Sequence, residues 1–278
     1  GKRVLVLERH FKVGGWTHTF KRGTYEWDVG VHYIGSVDKK NGILRRLFDD
    51  ITDARLQWSP MPDNYDRIIF PDASYDLIAG REQFIEKLSE YFPRERDAIV
   101  KYLKLVKECN RSAVKLFSNR ALPKTLGNLT YRYMTRPFLK FADRTTWDVL
   151  SSLTSDRKLI GVLTGQYGNY GLPPKKSSFA IHAAVVNHYL YGGNYPVGGS
   201  RSIAESIAPV IHETGGKIIV NAQVDEIIIH RNRAVGVKLT NGEELRSSLV
   251  ISSAGIMTAF SKLVKESSPP ALNMNKVN

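Results

Sequence analysis

An α/β fold interrupted by an inserted α+β region is predicted by three features of this chain. Residues 4–7, VLVL, form a continuous apolar run of the kind that fills a parallel strand covered on both faces. Residues 249–252, LVIS, repeat that pattern near the other end and run into Ala254-Gly255. Between them lie a β-rich stretch and then a long helical one, nested between the two halves of the sheet signal.

Taken in order, the opening strand ends at Glu8, where such a strand emerges at its carboxyl edge. In dinucleotide-binding folds an acid there accepts hydrogen bonds from ribose hydroxyls, roughly 20 residues after a glycine-rich phosphate loop. No such loop precedes Glu8 in this chain, which opens at Gly1. Two readings stand at this point: the second strand of a nucleotide fold whose first strand, phosphate loop and most of the first helix are missing, or an ordinary strand. Gly14 and Gly15 follow in a short loop, where paired glycines permit a tight turn and close approach of backbone N–H groups to an anion. A simple loop accounts for them equally well.

Residues 24–34, TYEWDVGVHYI, alternate as a short extended segment, followed by a polar turn over 36–42 and an amphipathic stretch over 43–50. Residues 65–70 and 74–78 are β-rich runs around Pro71, Asp72 and Ala73, a hairpin signal. Residues 82–91 and 94–117 have helical spacing, with Pro93 starting the second helix at its first turn. Residues 120–172 read as helix with loops, and 177–191 as an apolar helix entering a glycine-rich turn over 192–200. A helix over 202–214 stops at Gly215-Gly216. Strands are predicted over 217–220, 225–230 and 235–240, with a turn at 231–234 and a tight Asn241-Gly242 hairpin before 244–248. The last residues, 267–278, are polar and proline-interrupted.

Composition narrows the classes. At 278 residues, 42% hydrophobic and 24% charged, the chain is globular and long enough for a sizeable core. It has no run of about 18 apolar residues and no signal-peptide pattern at its start. The single cysteine, Cys109, excludes an internal disulfide framework and reads as a packing residue in a helix. No catalytic triad, metal cluster or paired-carboxylate site emerges. The formal charge is +13, and residues 111–144 hold eight basic residues against one acid, Asp143, interleaved with aromatic and aliphatic side chains. That mixture suits the headgroup layer of an anionic membrane surface; a solvated basic face over a core helix is the alternative. No recognition motif for nucleic acid accompanies the charge, so nucleic acid is not the expected partner.

Four ordered pieces then resemble one family. They are Glu8 with Gly14-Gly15, the segment DVGVHYIG at 28–35, NHYLYGGNYPVGGS at 187–200, and the stretch 220–255 ending in ISSAG. Together they resemble the FAD-dependent phytoene desaturase, carotenoid isomerase and retinol saturase group, and within it look closest to the retinol saturases. The resemblance covers nearly the whole chain and departs from many amine-oxidase relatives at Trp16, where those carry arginine after the diglycine.

The resemblance implies an FAD-binding Rossmann-like domain of the amine-oxidase and glutathione-reductase type, formed by residues 1–35 and 192–266. Residues 36–191 would be an inserted α+β substrate domain with the hairpin and a membrane-facing helical segment. It implies FAD contacts from Glu8, Arg9, Gly14, Gly15, Gly30, Val224, Ala254 and Gly255. His32 and Tyr33 would face flavin or substrate, although a lone histidine is more often a hydrogen-bonded core residue. Gly198 and Gly199 shape a turn near the flavin or a purely structural one. No metal is implied.

The implied activity is hydride exchange between flavin N5 and a carbon–carbon double bond of a lipophilic polyene isoprenoid, a retinoid or carotenoid, in saturation, desaturation or isomerisation. NAD(P)H is a candidate electron donor. The implied location is peripheral membrane, on the cytoplasmic side, at the endoplasmic reticulum in a eukaryote. The alternatives are an amine-oxidase-like enzyme on a soluble substrate, or a prenyl-binding protein of the GDP-dissociation-inhibitor type. The resemblance also implies truncation at both ends, so the chain alone is expected to be inactive and not to hold FAD tightly.

Overall fold

The computed structural model describes residues 2–30 and 33–265. The chain divides into two compact units, one of Gly1–Val31, Ile51–Leu56 and Gly198–Asn278, the other of His32–Asp50 and Gln57–Val197.

In the first unit, strand Leu5–Leu7 pairs in parallel with Lys217–Ile219, Leu5 lying opposite Lys217 and Leu7 opposite Ile219. The parallel pairing follows the apolar run, but the coverage does not. Val4 is 48% exposed and Leu5 42%, so the strand is half open rather than filled on both faces. Residues 249–252 need a larger correction: they form no strand, and Ile251 is 87% exposed. An apolar run becomes a strand only where a neighbouring backbone takes its N–H and C=O groups. Among the described residues the parallel sheet holds just the two strands already named.

The second sheet of this unit is antiparallel, with Arg233–Leu239 between Val224–His230 and Glu244–Arg246. Its first turn places Arg231 and Asn232 at φ 48° and 59°, two successive left-handed residues that match the twist of the flanking strands. Helix Arg201–Glu213 precedes Lys217–Ile219 and carries Pro209 in its interior. Strands Thr19–Arg22 and Tyr25–Asp28 form a hairpin, so the extended segment predicted over 24–34 is one arm of a two-stranded ribbon.

The second unit holds the continuous hydrophobic core. Helices Arg81–Tyr91, Arg96–Arg120 and Phe179–Tyr189 contribute Leu88, Ile99, Tyr102, Val106 and Phe179, each essentially inaccessible. Strands Asn64–Ile69 and Ser74–Ile78 form the predicted hairpin beside them. Pro93 opens a short turn, Pro93–Glu95, directly before Arg96–Arg120. The Ser178 hydroxyl caps Phe179–Tyr189 by accepting from the Ala180 N–H. The glycine-rich turn over 192–200 contains a strand that periodicity does not show: Asn194–Pro196 pairs antiparallel with Trp58–Pro60. Cys109 is buried and burial pushes its thiol up to about 11, as suits a packing residue.

One buried polar cluster sits in this core. His182, 1% exposed, has Nε2 2.7 Å from the Tyr102 hydroxyl and Nδ1 3.1 Å from the Tyr170 hydroxyl. Burial lowers the imidazole pKa to about 4, so the ring is neutral and each nitrogen has a hydroxyl partner.

Candidate functional site

Glu8 stands at the carboxyl edge of the parallel pair. Its N–H donates to Ile219 O at 2.9 Å, and its own carbonyl accepts from Ala222 N at 2.9 Å. These bonds continue the pairing one step beyond the strand and lead the partner chain into Val224, where the antiparallel sheet begins. The carboxylate is half-buried, and Oε1 accepts from the His10 N–H at 2.8 Å. That single engagement fixes the side chain and leaves the carboxylate with acceptor capacity for a ligand hydroxyl. Arg9, next in the chain, is exposed.

The diglycine loop is a tight turn of defined geometry. Gly14 lies at φ 110° and Gly15 at φ 54°, both in the region that disfavours other residues. The turn closes through Thr17, whose N–H and hydroxyl both reach the Gly14 carbonyl, at 2.9 and 2.8 Å. A Cβ on Gly14 would lie 2.7 Å from Thr17 Oγ1 and 3.2 Å from Ala204 Cβ, whereas one on Gly15 would meet no atom within 4 Å. Gly14 therefore serves packing, and Gly15 borders open space. A Cβ on Gly30 would come within 3.0 Å of the Trp16 ring, so Trp16 covers Gly30.

Two residues that motif reasoning does not single out tie this loop to the helix that follows Gly198 and Gly199. Ser200 is fully buried, and its hydroxyl donates to Asp28 Oδ1 at 2.6 Å while lying 3.0 Å from the Thr17 carbonyl. Its N–H also reaches Asp28 Oδ1, at 3.2 Å. Next in the chain, Arg201 pairs with Glu26 at 3.3 Å. The Thr19 hydroxyl first, then Arg201 and Lys21, hold the Glu26 carboxyl below its ordinary range. Hairpin, diglycine turn and the start of Arg201–Glu213 are thus one hydrogen-bonded assembly. Asp28 lies inside the motif DVG, but its partner lies 172 residues away, which no local spacing reveals.

The remaining expected site residues fall into two groups. Ala254 and Gly255 are exposed; Gly255, at φ 84°, caps a short turn, Ile256–Thr258, and the Ala254 N–H lies 3.4 Å from Ser252 Oγ. Tyr33 belongs to the second unit, where its hydroxyl donates to Asp66 Oδ2 at 3.2 Å and its ring meets Tyr189 edge-on at 4.8 Å. The buried Gln166 donates to the same Asp66 oxygen at 3.0 Å. Burial, then the Asp66 charge, raises the Tyr33 phenol above its ordinary value, so it stays protonated and serves as a donor. His32 and the tail over 267–278 lie outside the described residues. Among the described residues no three His, Cys, Asp or Glu side chains converge on a possible metal position.

The chain is similar to known proteins along almost its whole length. The model of the family described as "Flavin containing amine oxidoreductase" matches residues 1–272. An all-trans-retinol 13,14-reductase from Danio rerio is 36% identical over 276 residues, covering 95% of this chain and 45% of that protein. Prolycopene isomerase 1 from an Oncidium hybrid cultivar is 27% identical over 288 residues, covering 99% of this chain and 48% of that protein. The chain therefore spans about half the length of the curated relatives it matches. Among solved structures, an oxidoreductase from Methanosarcina mazei superposes with a TM-score of 0.63 at 16% identity, over 96% of this chain and 56% of that one. That likeness shows a shared fold.

Proposed function

This chain belongs to the flavin-containing amine oxidoreductase family, and on that premise we propose that the protein uses FAD to act on carbon–carbon double bonds of a lipophilic polyene isoprenoid, a retinoid or carotenoid. The observations that carry the cofactor are Glu8 at the strand's carboxyl edge and the diglycine turn that follows it in the chain. The half-buried carboxylate stands at the carboxyl edge of a parallel strand, and the turn has room for an anion beside its backbone. Those features fit a dinucleotide: Glu8 would hold the adenosine ribose, and the Gly14-Gly15 backbone would lie along the pyrophosphate. Val224 would present its backbone to adenine, and Arg9, Gly30, Ala254 and Gly255 would complete the cofactor contacts. When bound, the flavin supplies hydride exchange, and the protein supplies binding, orientation and exclusion of water.

The substrate class rests on the 36% identity to a retinol reductase, with a prolycopene isomerase as a more distant relative. We assign the cofactor to the first unit and the substrate to residues 36–191, with NAD(P)H as donor for a reductive direction. His32 and Tyr33 would stand on the flavin or substrate side. Residues 111–144 would rest on a membrane on its cytoplasmic side, at the endoplasmic reticulum in a eukaryote, so that substrate enters from lipid. No helix among the described residues is long and apolar enough to cross a membrane.

The test is to express the protein from its complete reading frame, record its flavin spectrum, and analyse retinoids and carotenoids after anaerobic incubation. The expected result is flavin absorbance that bleaches or recovers with one polyene and a product altered at a single double bond. A colourless protein unable to take up FAD sinks the enzyme reading. Turnover of a soluble amine with no polyene product would replace the substrate class.

A further inference from the structure

Helix Lys124–Ala142 has 19 residues, of which Thr135 alone is fully buried. Leu126, Leu129 and Tyr133 are 50%, 81% and 79% exposed, and their spacing places them along one face. Beside that ridge, Arg132, Arg136 and Lys140 recur every fourth residue, and Lys115 approaches from helix Arg96–Arg120. The four cations, with Tyr133 and Pro137, line a single open groove of about 370 Å³. No acid lines it. The Lys115 ammonium lies 5.9 Å from the centre of the Tyr133 ring, joining the cationic and apolar borders.

We infer that this groove receives the phosphate-bearing headgroup of an anionic phospholipid, with Leu126, Leu129 and Tyr133 seated at the acyl boundary beside it. Charge complementarity selects the headgroup. A bridging phosphodiester brings one negative charge to four cations, whereas an inositol headgroup with an added phosphomonoester brings roughly −1.5 to −2 more. The apolar ridge selects the lipid: exposed leucines beside a cation row suit an amphipathic helix lying in the interface. A nucleic-acid groove would set stacking aromatic faces, rather than exposed leucines such as Leu126 and Leu129, along its cations. This inference rests on the membrane-surface part of the reading above and is independent of its redox chemistry.

Flotation of the whole protein with vesicles tests it. Three compositions are compared: phosphatidylcholine alone, and the same lipid carrying either phosphatidylserine or a phosphatidylinositol monophosphate at equal surface charge. Binding is expected to be negligible on the first and about tenfold tighter on the third than on the second. Arg136→Gln and Lys140→Gln should each weaken it about fivefold, the effect of one cation at an anionic surface. Arg233→Gln, on the antiparallel sheet of the other unit, should leave it unchanged, and Leu129→Ser should weaken it without altering the melting temperature.

Equal binding to the two anionic vesicles, or an equal loss in Arg233→Gln, would reduce the groove to net charge and overturn the inference. So would tighter binding to an RNA oligonucleotide, or to a soluble inositol phosphate with no vesicle association. A protein without flavin that still floats on phosphoinositide vesicles sinks the enzyme reading and leaves this one standing. A flavin-loaded, active protein that ignores those vesicles does the reverse.

Discussion

Ser200→Ala isolates the bond that joins the diglycine turn to the helix after it. The hydroxyl is fully buried, 2.6 Å from Asp28 Oδ1 and 3.0 Å from the Thr17 carbonyl. Losing one oxygen leaves little cavity, so the cost is set by the hydrogen bond. A bond to a charged partner contributes about 1.5–3 kcal/mol, against about 1 kcal/mol for a neutral pair. Ser200→Ala should therefore destabilise the first unit by about 2 kcal/mol. Asp28→Asn, which keeps shape and loses charge, should cost about 1 kcal/mol. Because the two residues are in contact, the double variant should fall short of the sum by about 1 kcal/mol.

Urea unfolding followed by tryptophan fluorescence reads this in a Trp58→Phe, Trp147→Phe background, where the signal comes from Trp16 and Trp27 of the first unit. Proteolysis gives a second readout, since a loosened turn should be cut faster after Arg9 or Lys12. A Ser200→Ala change within about 0.5 kcal/mol, the range of an ordinary surface substitution, would refute the claim that this hydroxyl holds the turn.

Three further outcomes are expected. The unfolded chain protonates His182 near the ordinary 6.5, but the folded core holds it neutral down to about 4. Its contribution is therefore complete above 6.5 and lost as pH falls toward 4, by roughly 3 kcal/mol; His182→Gln should flatten the stability–pH curve over that interval, and parallel curves would contradict the assignment. Gly35→Ala would drive a Cβ into the His188 carbonyl, whereas Gly168→Ala meets open space; the first should melt well below the wild type and the second close to it, by calorimetry. Glu8→Gln retains an acceptor for the His10 N–H but loses the charge, so FAD uptake by the complete protein should weaken about tenfold in a fluorescence titration. An unchanged affinity would remove Glu8 from the ribose.

What could be read from the sequence is what local chemistry decides. The Asn64–Ile69 and Ser74–Ile78 hairpin, the Pro93 helix start and the Asn241-Gly242 turn all lie where the sequence places them, because the deciding residues are a few positions apart. The parallel character of Leu5–Leu7 was legible too, although its coverage was not: an apolar run records affinity for a neighbour, not the neighbour's presence. Residues 249–252 show the same limit, apolar in pattern yet outside any strand among the described residues, with Ile251 87% exposed. The site divides along this line. Glu8 and Gly15 could be proposed from the sequence because each has a local backbone setting, a strand end and a positive φ. Ser200 is silent because its role exists only when the chain returns Asp28 to it across 172 residues. The anion-binding role proposed for this loop would need both kinds of residue. The glycines permit the conformation, and the buried Ser200–Asp28 bond holds the turn to the following helix, so ordering the turn would add little to the cost of binding an anion there.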